Sequence, residues 1–505
     1  MSRLPQPVRL LLLAGSLWAL ATAGASAAEP LRIGSKRFTE SYILAEVLAQ
    51  AARPHAPVEV KPGLGNTAIV YEALRAGSID LYPEYTGTIA REILKSEEPL
   101  TLEAMRARLA PLGLGVDVPL GFNDGYALAL RADTAQRLGL RRLSDLAGQP
   151  ALRLGLSNEF IGRADGWPGL ARRYGLPQQP QGLDHGLAYD AIAQGQVDVI
   201  DIYTTDAKID HLGLRVLADD AGHFPRYDAV LLYRVDVPQR FPAAWAALKR
   251  LEGRIGEPAM IAMNARAELQ GVAFDVIARE HLAGTAGAAT AAAGGGFWAR
   301  LWGPDLARLA AQHVGLVLTS VALAVALGVP LALAVAPHAA ARTTVLGVTG
   351  LLQTVPALAL LAVLISLLGR IGTAPALVAL TLYALLPIMR NTCTGLAEVP
   401  VGLKQAATAL GLTAGQRLRA VELPLALPVI VAGVRTATTI AVGTATIAAF
   451  IGAGGFGERI VTGLALNDRG LLLAGALPAA ALALLCEAAF EALERGLKRR
   501  RTKEP

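Results

Sequence analysis

Two patterns of apolar and polar positions divide this 505-residue chain. From Leu31 to about residue 283, short apolar runs alternate with longer stretches of helical periodicity. Leu31-Arg32-Ile33-Gly34, Val58–Lys61 and Ile79-Asp80-Leu81-Tyr82 read as strands. Between them lie a helix through Ile43, Leu44, Val47 and Leu48, with Thr39 as its expected N-cap, and an amphipathic helix over Ala68–Arg75. The pattern restarts at Leu152–Leu156, passes a helix near Gly166–Tyr174 and ends on Val197–Tyr203. Such alternation predicts parallel sheets with crossover helices. The restart predicts two lobes with a cleft between them.

From residue 305 the pattern changes to long apolar runs, and five spans are expected at 313–336, 344–368, 374–390, 425–451 and 471–490. Pro330, Pro356, Pro387 and Pro478 fall inside them, which a helix bundle tolerates. The expected fold is therefore an α/β two-lobed binding domain followed by an all-α polytopic membrane domain. At the other end, Arg3 and Arg9, the apolar run Leu10–Ala21 and the small residues Ala23–Ala28 stand in the order of a secretory signal peptide. Cleavage after Ala28 is expected, with an uncleaved anchor as the alternative. The expected divisions are a signal peptide at 1–28, the binding domain at 29–283, a linker at 284–304, the membrane domain at 305–495 and a basic tail at 496–505. The linker begins with Gly284–Gly296, a run of small uncharged residues that reads as flexible.

Composition agrees with a chain partly in lipid: 53% of residues are hydrophobic and 17% charged. The net charge of +6 gathers at the end, where Arg495, Lys498, Arg499, Arg500, Arg501 and Lys503 follow the last span. Beside a span, such a tail marks the cytoplasmic side rather than a nucleic-acid partner. A secreted first half and five spans then put the loop 391–424, with Lys404, Arg417 and Arg419, inside the cell. The same parity puts the Gly-rich loop Gly452–Gly457 outside. The protein is expected in the cytoplasmic membrane, multi-pass, with its binding domain in the periplasm. No Gly-Lys dipeptide occurs, so no P-loop and no ATP hydrolysis by this chain are expected. Seven scattered histidines and two cysteines, Cys393 and Cys486, have no metal-ligand or disulfide spacing. No enzymatic activity, metal or cofactor is expected.

Four motifs stand in order in the first half: Ile33–Glu40 (IGSKRFTE), Leu81–Thr88 (LYPEYTGT), Phe122–Leu128 (FNDGYAL) and Asp201–Asp206 (DIYTTD). Together they resemble the substrate-binding protein of the osmoprotectant (glycine betaine, carnitine, choline) ABC importers. From Leu351 to Gly457, QTVP at Gln353, LPIMRNT at Leu386 and GTATI at Gly443 resemble the permease of the same systems. Within that stretch, Gln405-Ala406-Ala407, Gly411 and Leu423-Pro424 match the spacing of the loop that docks on an ATPase subunit, with Gln405 where Glu is usual.

The resemblance implies a receptor fused to its permease, importing a small quaternary-ammonium ligand. It also implies a separate cytoplasmic ATPase and pairing of two copies. It further implies an aromatic cage at Tyr85, Tyr126, Tyr203 and Tyr227, because a trimethylammonium group has no N–H to donate and ring faces must recognise it. Ten of the 11 tyrosines lie in this half. Thr88 matches a position that hydrogen-bonds a ligand carboxylate, and Lys36 stands where it could face an anion. Asp124 replaces a neutral amide. It could favour a hydroxyl or N–H donor, as in choline or an imidazole betaine, or be a surface turn residue. A ligand-gated channel or membrane sensor with an external cleft domain is the alternative, although the tail after Gly496 is too short for an output module.

Overall fold

The computed structural model describes residues 29–285, 297–466 and 468–501. The expected signal peptide, residues 286–296 of the linker and 502–505 of the tail lie outside the described residues.

Ten strands build two sheets: β1 (Leu31–Gly34), β2 (Val58–Lys61), β3 (Leu81–Tyr85), β4 (Leu114–Asp117), β5 (Tyr126–Arg131), β6 (Leu154–Ser157), β7 (Gln181–Leu183), β8 (Val199–Tyr203), β9 (Leu214–Val216) and β10 (Ala229–Arg234). The first lobe has strand order β2-β1-β3-β10-β4 and the second β7-β6-β8-β5-β9. The second lobe is thus inserted between β4 and β10. Two neighbouring chain segments connect the lobes, tied by Asp124 N–H to Tyr227 C=O (3.0 Å) and Ala229 N–H to Phe122 C=O (3.0 Å). The sheets are not purely parallel as expected. β10 runs antiparallel to β3 and β4, and β5 antiparallel to β8 and β9, because each enters its sheet from the connection between lobes.

Helix α1 (Thr39–Ala52) is buried along most of its length, so Ile43, Leu44, Val47 and Leu48 pack inward with nothing left to solvent. Phe38, not Thr39, is its N-cap and makes no side-chain cap bond; Thr39 is already the first helical residue. Ser41, two residues later, accepts the Lys36 N–H at 2.8 Å and holds the β1–α1 turn.

The membrane domain comprises α2 (Leu306–Val335), α3 (Ala339–Thr354), α4 (Ala357–Leu368), α5 (Thr373–Ala397), α6 (Val401–Ala409), α7 (Leu423–Ala445), α8 (Gly457–Ala465) and α9 (Arg469–Arg501). Among the described residues, four helical segments are long and apolar enough to span, and α3 with α4 makes a fifth only as a pair bent by 101°. The continuous span expected at 344–368 is therefore broken. Val355 precedes Pro356 and is driven to extended backbone (φ −65°, ψ 127°), which ends α3 there. Helices α5 and α7 approach closely at two glycines: a Cβ at Gly433 would lie 2.8 Å from the Pro387 carbonyl oxygen, and one at Gly395 3.0 Å from that of Ala426. Arg435 on α7 is paired across the bundle. Its Nε donates to Glu487 Oε1 on α9 at 2.7 Å.

The binding domain rests on one end of this bundle. Ser78 Oγ accepts the Ile371 N–H at 3.2 Å, just before α5, and Leu64 packs over Gly452. Tyr42, Lys61 and Phe274 of the binding domain face Arg308, Gln312 and Thr319 of α2 across a cavity of about 1840 Å³. The turn from Val399 to Pro424 lies beyond the other end of α5, whose 25 residues cover about 37 Å at 1.5 Å per residue.

Gly457 opens α8 where a Cβ would stand 2.0 Å from the Thr446 carbonyl oxygen. Backbone cannot yield as a side-chain tip does, so Gly457→Ala is expected to cost about 3 kcal/mol or more. Loss of the monodisperse peak in detergent chromatography would show it; wild-type yield and thermal stability would refute it.

Candidate functional site

The strand ends deliver the tyrosines to the cleft. Antiparallel register sets Tyr126, the first residue of β5, opposite Tyr203, the last of β8. Their ring centres are 5.2 Å apart, and Tyr227, on the return connection, meets Tyr126 edge-on at 5.6 Å. Tyr85, at the end of β3, joins only through Phe38, which lies 6.2 Å from Tyr85 and 5.2 Å from Tyr203. Phe160 and Phe224 add two more rings around Tyr126, at 5.1 and 6.5 Å. The three phenylalanines were not named from the sequence, although Phe38 lies inside the first motif and Phe224 beside Tyr227. Hydroxyls fix two of the rings: Tyr85 donates to Glu40 Oε1 at 2.5 Å and Tyr227 to Asp165 Oδ2 at 2.7 Å. Burial pushes all four phenols well above their ordinary range, so they remain neutral donors.

Arg163 was also missed. It is buried, donates twice to Asp165 (2.8 and 2.7 Å), reaches Thr88 Oγ1 of the other lobe at 3.3 Å, and stands 5.1 Å from the Tyr126 ring centre. Burial raises Asp165, but Arg163 outweighs it and holds the carboxylate below its usual range. Thr88 thus sits beside a cation that can share a ligand carboxylate with it. The Lys36 reading needs correction. Its Nζ donates to buried Glu84 Oε1 at 2.5 Å, and Tyr82 occupies the other oxygen at 3.1 Å, so its charge is neutralised within the first lobe.

Asp124 is buried, not a surface turn residue. Thr205 Oγ1 lies 2.9 Å from Asp124 Oδ1 and 2.6 Å from Glu40 Oε2. One hydroxyl has one proton and cannot donate to both. A carboxyl group of the pair must carry the second. Burial, with Glu40 and Asp206 nearby, pushes Asp124 well above the carboxylate range, and burial brings Glu40 up to about 7. Asp206 stays ionised: burial opposes it, but His185 at 3.1 Å prevails. His185 is itself raised to about 10 against its own burial, chiefly by Asp206 and then Asp201. Its ring lies 4.3 Å from that of Tyr203.

The second candidate region is the turn after α5. Helix α6 ends at Leu410-Gly411, with Gly411 at φ +82°, and Thr413 with Gln416 forms a capping box for Ala414–Arg417. The chain then winds through Leu418–Glu422 into α7, where Leu423 and Pro424 open the helix. Ala407 is buried, whereas Gln405 and Ala406 are exposed beside Val401, Leu403 and Leu410, the last 80% exposed. This apolar surface has no cover among the described residues.

Glu40 faces Tyr85, Thr205, Asn264 and Asp206, with Asp124 one hydroxyl away. Folded, it keeps its proton up to about pH 7; the unperturbed value is 4.5. The folded state binds more protons in that window, so its stability falls as pH rises from 4.5 through 7. Tyrosine circular dichroism should show unfolding several degrees higher at about pH 5 than at about pH 8, and Glu40→Gln should flatten its share of the difference. An unchanged slope in the variant would reject the assignment.

Comparison with known proteins follows the same division. Residues 29–284, half of the chain, match the family model of the substrate binding domain of ABC-type glycine betaine transport systems. Residues 324–502 match the binding-protein-dependent transport system inner membrane component. The ergothioneine transport permease/ergothioneine binding protein of Helicobacter pylori is 33% identical over 284 residues, 54% of this chain and 50% of that protein. This chain therefore spans about half the length of that relative. The glycine-betaine-binding protein of Pseudomonas aeruginosa is 35% identical over 52% of this chain and 92% of its own. An osmoprotectant import permease protein of Salmonella typhimurium is 45% identical over 36% of this chain and 86% of its own. The chain belongs to the family of ABC-type glycine betaine substrate-binding domains, continued into a binding-protein-dependent permease domain.

Proposed function

We propose that this protein is the combined receptor and permease of an ABC importer for betaine-type zwitterions. The observation that carries the reading is the joining of Tyr126, Tyr203 and Tyr227 into one aromatic cluster beside buried Arg163 and Thr88. The rings suit a trimethylammonium group, each desolvated contact contributing about 0.5–2 kcal/mol. Arg163 and Thr88 suit its carboxylate. A zwitterion adds no net charge to a cleft whose own charges are already matched: Arg163 with Asp165, Lys36 with Glu84, His185 with Asp206. Asp124, held protonated, takes the place of a neutral amide and does not repel a carboxylate. Glycine betaine, carnitine and ergothioneine share the required ends; choline lacks the anionic one.

In this reading Tyr85 lines the cage through Phe38, and Lys36 supports Tyr85 rather than touching the ligand. The receptor works in the periplasm and the bundle crosses the cytoplasmic membrane. Two copies pair, and a separate ATPase supplies the energy by docking on the exposed surface around Val401, Leu403, Gln405 and Leu410. The distance between receptor seat and this surface, about the thickness of a bilayer, supports opposite sides of the membrane.

Titration calorimetry of the detergent-solubilised chain should give micromolar binding of at least one of glycine betaine, carnitine and ergothioneine. Tyr126→Ala should weaken it about tenfold or more. Arg163→Lys should weaken the betaines more than choline, since lysine lacks the planar fork. Absence of binding below millimolar by all three zwitterions would reject the proposal. In proteoliposomes with the ATPase, Gly411→Val should abolish ligand-stimulated hydrolysis without changing affinity, because a β-branched residue does not adopt φ +82°. Normal stimulation would remove the elbow from the coupling path.

A further inference from the structure

Arg37 lies in the turn between β1 and α1 of the first lobe, at the mouth of the cleft, and its side chain touches two other bodies, the second lobe and the permease. Its Nη2 donates to Asp184 Oδ2 of the second lobe at 3.1 Å. Its guanidinium carbon stands 4.9 Å from the ring centre of Phe450, in the permease turn Ile447–Ile451 that follows α7. A planar guanidinium can donate along its edge while stacking on its face; a lysine ammonium cannot.

The sequence neighbours of the ion pair give it a role beyond contact. Phe38 follows Arg37 and packs on Tyr203 from the first lobe at 5.2 Å. Asp184 caps the helix His185–Ala193, and His185 packs on Tyr203 from the second lobe at 4.3 Å. Each arm of the pair is thus one residue from a ring pressed against Tyr203. A depression of about 100 Å³ above that ring is lined by Arg37, Phe38, Asp184, His185 and Tyr203 together. The permease touches both lobes around this point, through Ile371 and Gly452 on the first and through α8 against the helix His185–Ala193 on the second. Only a closed receptor offers Phe450 an arginine already tied to Asp184.

We propose that Arg37, bridging Asp184 and Phe450, is the positioning residue through which the permease senses lobe closure and later opens the cage. It does not touch the ligand. When the permease turn moves, Phe450 draws Arg37 from Asp184, the partly exposed pair separates into water at little cost, and Phe38 and His185 release Tyr203. The inference rests on the importer reading above.

The test uses the full chain with its ATPase in proteoliposomes and glycine betaine and ergothioneine as probes. Arg37→Lys, Phe450→Leu and Asp184→Asn should each lower ligand-stimulated ATP hydrolysis about fivefold or more. Basal hydrolysis should change less than about twofold in all three, as should the Kd of Arg37→Lys and Phe450→Leu in the solubilised chain. The double variant Arg37→Lys/Phe450→Leu should be no worse than the weaker single, as expected for one shared contact. Unchanged stimulation in the single variants, or effects that multiply, would overturn the relay. A Kd raised tenfold or more in Arg37→Lys would make Arg37 a ligand contact and also overturn it. A wild-type chain that neither probe stimulates would undo the importer reading itself, and the relay with it.

Discussion

One hydroxyl between two carboxyl groups sets the terms for the closed receptor. Thr205 belongs to the second lobe, Glu40 to the first, and Asp124 to the connection between them. Two buried carboxylates at this separation would repel and forfeit hydration, so closing them in the ionised form is strongly unfavourable. Retaining one proton removes the repulsion and turns the trio into a donor chain that continues to Tyr85. The lobes therefore close at the cost of a proton kept, not of a charge left unpaired. Around the trio, His185 and Arg163 each have a carboxylate counter-ion close by. His185 reaches Asp206 from the first residue of its helix, and Arg163 reaches Asp165 two residues away.

That charge balance narrows what the cleft can hold. A bare cation would meet His185 behind Tyr203 and Arg163 against Tyr126, both already on the rings that would receive it. A cation that brings its own carboxylate offsets this by engaging Arg163. In the proposed importer, the distinction between choline and the betaines thus depends on the placement of a cation that no spacing rule singles out.

The architecture was legible because periodicity reports burial. Alternation of strands and helices gave two lobes, and long apolar runs gave the bundle. Antiparallel β5 and β10 were not legible, because their direction depends on where the chain returns between lobes rather than on any residue in them. The cage tyrosines could be named from motifs, yet their companions Phe38, Phe160 and Phe224 could not, since a phenylalanine in a strand–helix domain is ordinarily core. Asp124 illustrates the limit of reading charge from sequence. Its carboxyl is formally anionic, and burial, with Glu40 and Asp206 close by, pushes it toward the neutral form. Lys36 illustrates the converse, its charge absorbed by Glu84, 48 positions away.

Receptor and elbow share α5 as a common strut. Its N-terminal end meets Ser78 through Ile371, and its C-terminal end leads through Val399 into the elbow. Against α7 it is fitted through Gly395 and Gly433, where each glycine faces a carbonyl oxygen of the other helix with Asn391 and Val429 packed beside it. Such a contact permits rigid displacement of the pair more readily than bending within it, because any local change brings a Cα against a carbonyl oxygen. Helix α7 carries the elbow's exit at Leu423 and, beyond its other end, the turn holding Phe450. A push on the elbow and a pull at Arg37 are then two ends of one rigid displacement. The bend at Val355–Pro356 is tied to the same strut, since the Tyr383 hydroxyl of α5 donates to the Val355 carbonyl oxygen at 2.6 Å, so the broken helix pair follows α5 when it moves.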